Sequence, residues 1–237
     1  MSERIIQADR SVIVAADVQA EKLSKLVEST YLVEGIGGYK VGLALALEKG
    51  LPNIVDLILY HTDLPVIYDH QKAGNDIPAM GATFAKVCSK AGVDAVILFP
   101  FAGPKTEKDW IQACQDQGLG VIVGAHMTQP NFLASEDGFI ADESPDRIFT
   151  LAVEEGVRDF VVPGNKVEYV QHYKELFDNL LGIGNFTLYA PGFVTQGGEI
   201  SEFAAIAGSQ WHTIVGSGIY NAEDMTFAAN EMTKNIR

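Results

Sequence analysis

Asp69, His70, Lys72 and Asp76 fall within eight residues, at the end of the apolar run Val66-Ile-Tyr. Ile77-Pro78 then opens a helical pattern. When an apolar strand ends in a cluster of opposite charges, those charges tend to meet something at its mouth, since function concentrates on loops held by a rigid scaffold. The plain alternative is a solvated turn with incidental ion pairs. Lys40, between Tyr39 and Val41, sits inside a second apolar stretch. A buried, unpaired ammonium is costly, so this lysine needs a carboxylate nearby. Asp17 and Asp69, on neighbouring strands, are the candidates. The competing reading is a surface lysine with its stem along apolar neighbours. Gly197-Gly198 and Gly216-Ser-Gly218 suit a phosphate, whose oxygens take backbone N–H groups at such turns. The alternative is that glycine is there only for its backbone angles. His70 and His126, with Asp17 and Asp69, would make a divalent metal site of two histidines and two carboxylates. Against this stands the plainer reading of each histidine as a hydrogen-bonded structural residue.

These residues need elements to position them. Residues 11–16, 38–43, 64–69, 95–99, 120–124, 159–163, 186–190 and 211–215 read as strands. Helical spacing covers 21–29, 44–60, 78–90, 106–117, 145–155, 166–181, 200–207 and 222–236. Thr106 is the expected N-cap of its helix, and Gly92 the stop of the one before it. Residues 131–145 read as irregular and acidic. A repeated strand–helix unit implies a parallel sheet with helical crossovers. Eight units in 237 residues predict a (β/α)8 TIM barrel, with residues 1–237 as a single domain. An open doubly wound sheet usually carries Gly-x-Gly-x-x-Gly after its first strand. Here that strand ends Ala-Ala-Asp-Val-Gln, which counts against it.

In such a barrel the C-terminal strand ends build the site. They offer Asp17, Lys40, then Asp69, Lys72 and Asp76, and at the fifth strand His126, Thr128 and Gln129. The seventh and eighth strands add Gln196, Gly197 and Gly198, and Gly216, Ser217 and Gly218. The loops after strands seven and eight are where barrels often hold phosphate.

Composition narrows the class. The net charge of −14 argues against a general nucleic-acid binder, and any anionic substrate must be held locally against that field. Cys88 and Cys114, both in helical patterns, are expected to be buried, reduced thiols. The start lacks a signal-peptide layout, and no apolar run approaches the ~20 residues of a membrane span, so the expected place is the cytoplasm.

In order along nearly the whole chain, these pieces resemble the orotidine 5′-monophosphate decarboxylase superfamily. Ala-Ala-Asp17 resembles its first-strand aspartate, and Tyr-Lys40-Val-Gly its second-strand lysine. Asp69…Lys72…Asp76-Ile-Pro resembles its third-strand charge array. Met127-Thr-Gln-Pro130 is similar to the loop that touches the pyrimidine. Pro191-Gly-Phe-Val-Thr-Gln-Gly-Gly198 and Val215-Gly-Ser-Gly-Ile-Tyr220 resemble its two phosphate-binding segments.

The resemblance implies cofactor-free decarboxylation of orotidine 5′-monophosphate to UMP, with no metal. It implies that Lys72 protonates the C6 carbanion, Asp69 faces the substrate carboxylate, and Lys40 and Asp76 complete the array. It implies ribose contacts from Asp17 and Asp76, pyrimidine contact from Thr128, and phosphate contacts from Gln196, Gly197, Gly216 and Ser217. It further implies a homodimer that shares Asp76 across its interface. A lysine at position 40 resembles the metal-free nucleotide branch, where the sugar-phosphate branch carries a glutamate. A Mg²⁺-dependent sugar-phosphate lyase or epimerase and a non-catalytic nucleotide binder are the alternatives. The charge array is stretched relative to the family's: Lys72 follows Asp69 by three residues rather than two, and Asp76 follows Lys72 by four rather than three. Ser217 also stands where the family turn has arginine.

Overall fold

A computed structural model describes residues 4–71, 73–193, 199–234 and 236. Among them, strands β1 (Arg10–Ala15), β2 (Ile36–Gly42), β3 (Val66–Asp69), β4 (Ala95–Leu98), β5 (Gly120–Gly124), β6 (Asp159–Val161), β7 (Thr187–Ala190) and β8 (Trp211–Val215) pair in sequence order. Every pair is parallel, and β1 also pairs with β8, from Arg10↔Trp211 to Val14↔Val215. The sheet is therefore a closed barrel, as the repeated pattern predicts.

The helices cover its outside: α1 (Ala20–Thr30), α2 (Leu43–Lys49), α3 (Leu51–Leu59), α4 (Gly81–Lys90), α5 (Pro104–Asp116), α6 (Ser144–Glu154), α7 (Val167–Leu181), α8 (Ile200–Ile206), α9 (Ser217–Tyr220) and α10 (Met225–Lys234). Successive side chains of a strand face opposite sides. Ile13, Ala15, Ile67, Ile97, Ile122 and Ile214 accordingly form one buried cluster inside the barrel. Val12, Val14, Tyr39, Val41, Tyr68 and Val96 join the larger cluster between barrel and helices. Phe99 fills the upper interior because position 124 is glycine: a Cβ there would lie 2.3 Å from its ring.

Three local expectations are corrected. The helical region 44–60 is two helices, because Gly50 takes φ +80 between them and Pro52 starts the second. The region 222–236 is led by the separate short helix α9. Its main helix starts only at Met225, where the Asp224 carboxylate accepts the Phe227 amide at 2.9 Å. Thr106 is not an N-cap, since α5 already begins at Pro104. Its hydroxyl instead donates to the Asp76 carbonyl at 3.0 Å, and the Trp110 indole donates to the Ile77 carbonyl at 3.2 Å. Helix α5 thus anchors the far end of the loop after β3. Cys88 and Cys114 are free and buried, as expected. No described helix is long and apolar enough to cross a membrane.

Glu107, in the first turn of α5, is 2% exposed, and its Oε1 has no hydrogen-bond partner among the described residues. Burial, and then the charge of Glu155, push its carboxyl up to about 8, with Lys108 opposing. A raised folded pKa contributes stability below the ordinary value of 4.5, which is lost as pH rises through about 8. Glu107→Gln, neutral throughout, is expected to gain over wild type across that window, on the order of 4 kcal/mol at pH 8. Urea unfolding at pH 5 and pH 8 checks this, and an equal difference at both values would overturn it.

Candidate active site

The ends of the strands surround a cavity of about 260 Å³. Lys40 reaches it because it alternates with Tyr39 and Val41, which pack outward in β2. Its register partners are Ala15 on β1 and Ile67 on β3, both in the interior cluster. Asp69 lies two residues beyond Ile67 and so faces the same way. Asp17 follows β1. The three meet: Lys40 Nζ donates to both Asp17 oxygens at 3.1 Å and to Asp69 Oδ2 at 3.2 Å. Gly42 leaves room for this contact, since a Cβ there would sit 3.0 Å from Asp17 Oδ1.

The electrostatics are asymmetric. The Lys40 and Asp69 side chains are each 9% exposed, whereas that of Asp17 is 49% exposed. Burial works against the Lys40 charge, but Asp69 and Asp17 outweigh it and hold the ammonium protonated with a raised pKa. Burial raises the Asp69 carboxyl, with Lys40 pulling it back down. Among the described residues, one ammonium between two carboxylates leaves this wall net negative. Asp69 Oδ1 is buried and has no hydrogen-bond partner among the described residues.

On the opposite wall lie Met127 and Thr128, from the segment after β5, and Pro191 to Phe193, after β7. Gly216 and Ser217, at the start of α9, complete the rim. Gly216 fits closely: a Cβ would lie 3.2 Å from the Tyr220 ring and 3.3 Å from Ala15 Cβ. A wider cleft of about 530 Å³ lies outside the barrel between α5 and α6. It borders buried Glu107 but none of the strand-end charges, so the smaller cavity is the one equipped for chemistry.

A family model described as "Orotidine 5'-phosphate decarboxylase / HUMPS family" matches residues 10–232. The chain belongs to this family. The orotidine 5′-phosphate decarboxylase of Methanosarcina mazei is 31% identical over 236 residues, covering 98% of this chain and 97% of the relative. That of Methanosarcina barkeri is 30% identical, covering 95% and 94%. Among solved structures, orotidine 5′-phosphate decarboxylase from Pyrococcus horikoshii superposes with a TM-score of 0.78 at 26% identity, covering 95% of this chain and 99% of that one. The Methanocaldococcus jannaschii enzyme, complexed with inhibitor BMP, shares the fold with a TM-score of 0.83 at 24% identity, covering 96% and 99%.

Of the residues that the family resemblance singles out, Asp17, Lys40, Asp69, Thr128, Gly216 and Ser217 share the cavity. Lys72, Gln196 and Gly197 lie outside the described residues, as does Gly198. Asp76 is not brought to this cavity. It is exposed, and its Oδ1 accepts the neighbouring Ile77 amide at 2.7 Å. The suggested metal quartet does not assemble. His70 bonds the Tyr68 hydroxyl on the outer face of β3, while His126 bonds Tyr173 and Lys166. Among the described residues no three His, Cys, Asp or Glu stand close enough to share an ion. Gln71, Phe193 and Tyr220 also line the cavity, although the sequence reading assigned them no role. Phe193 and Tyr220 lie within the two segments that resemble the family's phosphate-binding loops, and Gln71 within the charge array, which is the signal available for finding them.

Proposed function

We propose that this chain decarboxylates orotidine 5′-monophosphate to UMP without metal or organic cofactor. The observation that carries this reading is Lys40, buried between Asp17 and Asp69 at the cavity wall of a chain whose relatives bear that enzyme's name. Asp69 faces the substrate carboxylate. The bond from C6 to that carboxylate breaks, CO₂ leaves, and the electron pair stays on C6. Lys72 stabilises this developing charge and gives C6 its proton, then regains one from water. A fixed array of charges aimed at the carbanion stabilises the transition state without reorganising during the reaction. Binding energy from remote parts of the substrate adds to this.

Asp17 and Asp76 hold ribose hydroxyls, and Thr128 reads the pyrimidine. Gln196, Gly197, Gly216 and Ser217 take the phosphate, with backbone amides and hydroxyls in place of a guanidinium. Asp76 reaches the array of a second subunit, so the working unit is a homodimer. Its exposure, and its place outside the residues that line its own cavity, support this reading. The cytoplasm is the proposed place of action, which cell fractionation checks.

The test is the loss of orotidine 5′-monophosphate absorbance on adding purified protein, with and without EDTA, alongside sedimentation for the dimer. EDTA-resistant turnover is expected. Turnover of sugar phosphates only, abolished by EDTA, would replace this reading with the metal-dependent branch.

A further inference from the structure

Asn165 and Lys166, between β6 and α7, have no role in the array, yet they grip the segment after β5 on both sides of Met127. Asn165 Nδ2 donates to the Thr128 carbonyl at 3.1 Å. Lys166 Nζ donates to His126 Nε2 at 3.0 Å and to the Glu136 carboxylate at 2.8 and 2.9 Å. Accepting at Nε2 places the His126 proton on Nδ1, which donates to the Tyr173 hydroxyl at 2.8 Å. The imidazole is 1% exposed and stacks on Phe132 at 5.3 Å between ring centres. Burial, and then the Lys166 charge, hold its pKa down to about 4, so it stays neutral and keeps accepting. Asn165 also spaces the next loop: a Cβ on Gly192 would lie 2.9 Å from its Oδ1 and 3.1 Å from the Thr128 methyl.

We propose that the turn Asn165–Lys166 is the positioning element for the base-reading wall, fixing Thr128 through its carbonyl and His126 through its ring. Thr128 then meets the pyrimidine edge without first having to be ordered, and displacement of a positioning group by about 1 Å is enough to cost catalysis heavily. This inference rests on the proposed function.

Two variants test it. Asn165→Asp keeps the shape but sets an acceptor against the Thr128 carbonyl. Lys166→Met keeps the stem and removes the donor shared by His126 and Glu136. Each is expected to weaken UMP binding about ten-fold or more and to lower kcat/KM on orotidine 5′-monophosphate at least as much. Affinity for ribose 5-phosphate, which has no base, should stay within about two-fold of wild type, a selectivity that general loosening of the barrel would not produce. If wild type turns over the nucleotide but both variants bind UMP normally, or lose UMP and ribose 5-phosphate equally, this inference alone falls. If wild type neither turns over orotidine 5′-monophosphate nor binds UMP, the proposed function falls and takes this inference with it.

Discussion

Lys72→Ala is expected to abolish turnover of orotidine 5′-monophosphate while leaving UMP binding within reach of measurement. A positioned general acid contributes about 10²- to 10⁴-fold, and the loss of a cation beside a developing carbanion adds to that. Lys72 itself is not among the described residues, but its surroundings are well held. Gln71 lines the cavity, and the buried Ala73 donates its amide to the His70 carbonyl at 2.7 Å. The Ala73 carbonyl accepts the Phe99 amide at 3.1 Å, and Gly74, at φ +83, packs against Pro100. Steady-state kinetics with a parallel UMP titration separate loss of chemistry from loss of binding. A variant that keeps more than about a tenth of the wild-type rate would remove Lys72 from the proton-donor role.

Lys40→Met is the second large effect, and it acts on both activity and stability. Asp69 is nearly buried, and among the described residues Lys40 gives the largest offset to its desolvation. Removing one partner of a buried pair costs about 3–5 kcal/mol, because the other charge is left uncompensated. The share from Asp17 is smaller, since that carboxylate is half exposed and reaches water. The Asp69 carboxyl, already raised by burial, should rise further in the variant. The sign follows: Asp69 then binds a proton at higher pH than in wild type, so the acid limb of the activity profile moves upward and activity partly returns as pH increases. The residual rate at neutral pH is expected to be about a thousandth of wild type or less. Urea unfolding and a pH–rate profile are the measurements. Unchanged stability together with an unmoved acid limb would show that the Asp17–Lys40–Asp69 contact does not organise the site.

The strand–helix alternation was legible in the chain because it is local. Apolar runs such as Ala95 to Leu98 and Val121 to Val123 are short, bounded by turn residues, and buried on both faces as parallel strands are. The same local rules misplaced boundaries where one residue decided the outcome, as Gly50 does between α2 and α3 and Asp224 does ahead of α10. Residue types at the strand ends also named the candidates for the site, because a barrel confines them to one rim.

Which of those candidates meet was decided only by the tertiary structure. Lys40 stands between Asp17 and Asp69 because the pairings Ala15↔Lys40 and Gly42↔Asp69 set neighbouring strands at one height, and alternation turns the lysine inward. His70 falls on the outer face one residue past Asp69, and His126, although it lines the cavity, is bonded to Tyr173 and Lys166, so no metal set forms among the described residues. Asp76 is carried off the rim by the anchoring of its loop on α5. Hydrophobic period and turn chemistry act over a few residues and can be read along the chain. Register, closure of β1 on β8, and the competition of distant side chains for one partner exist only once residues far apart in sequence are packed together.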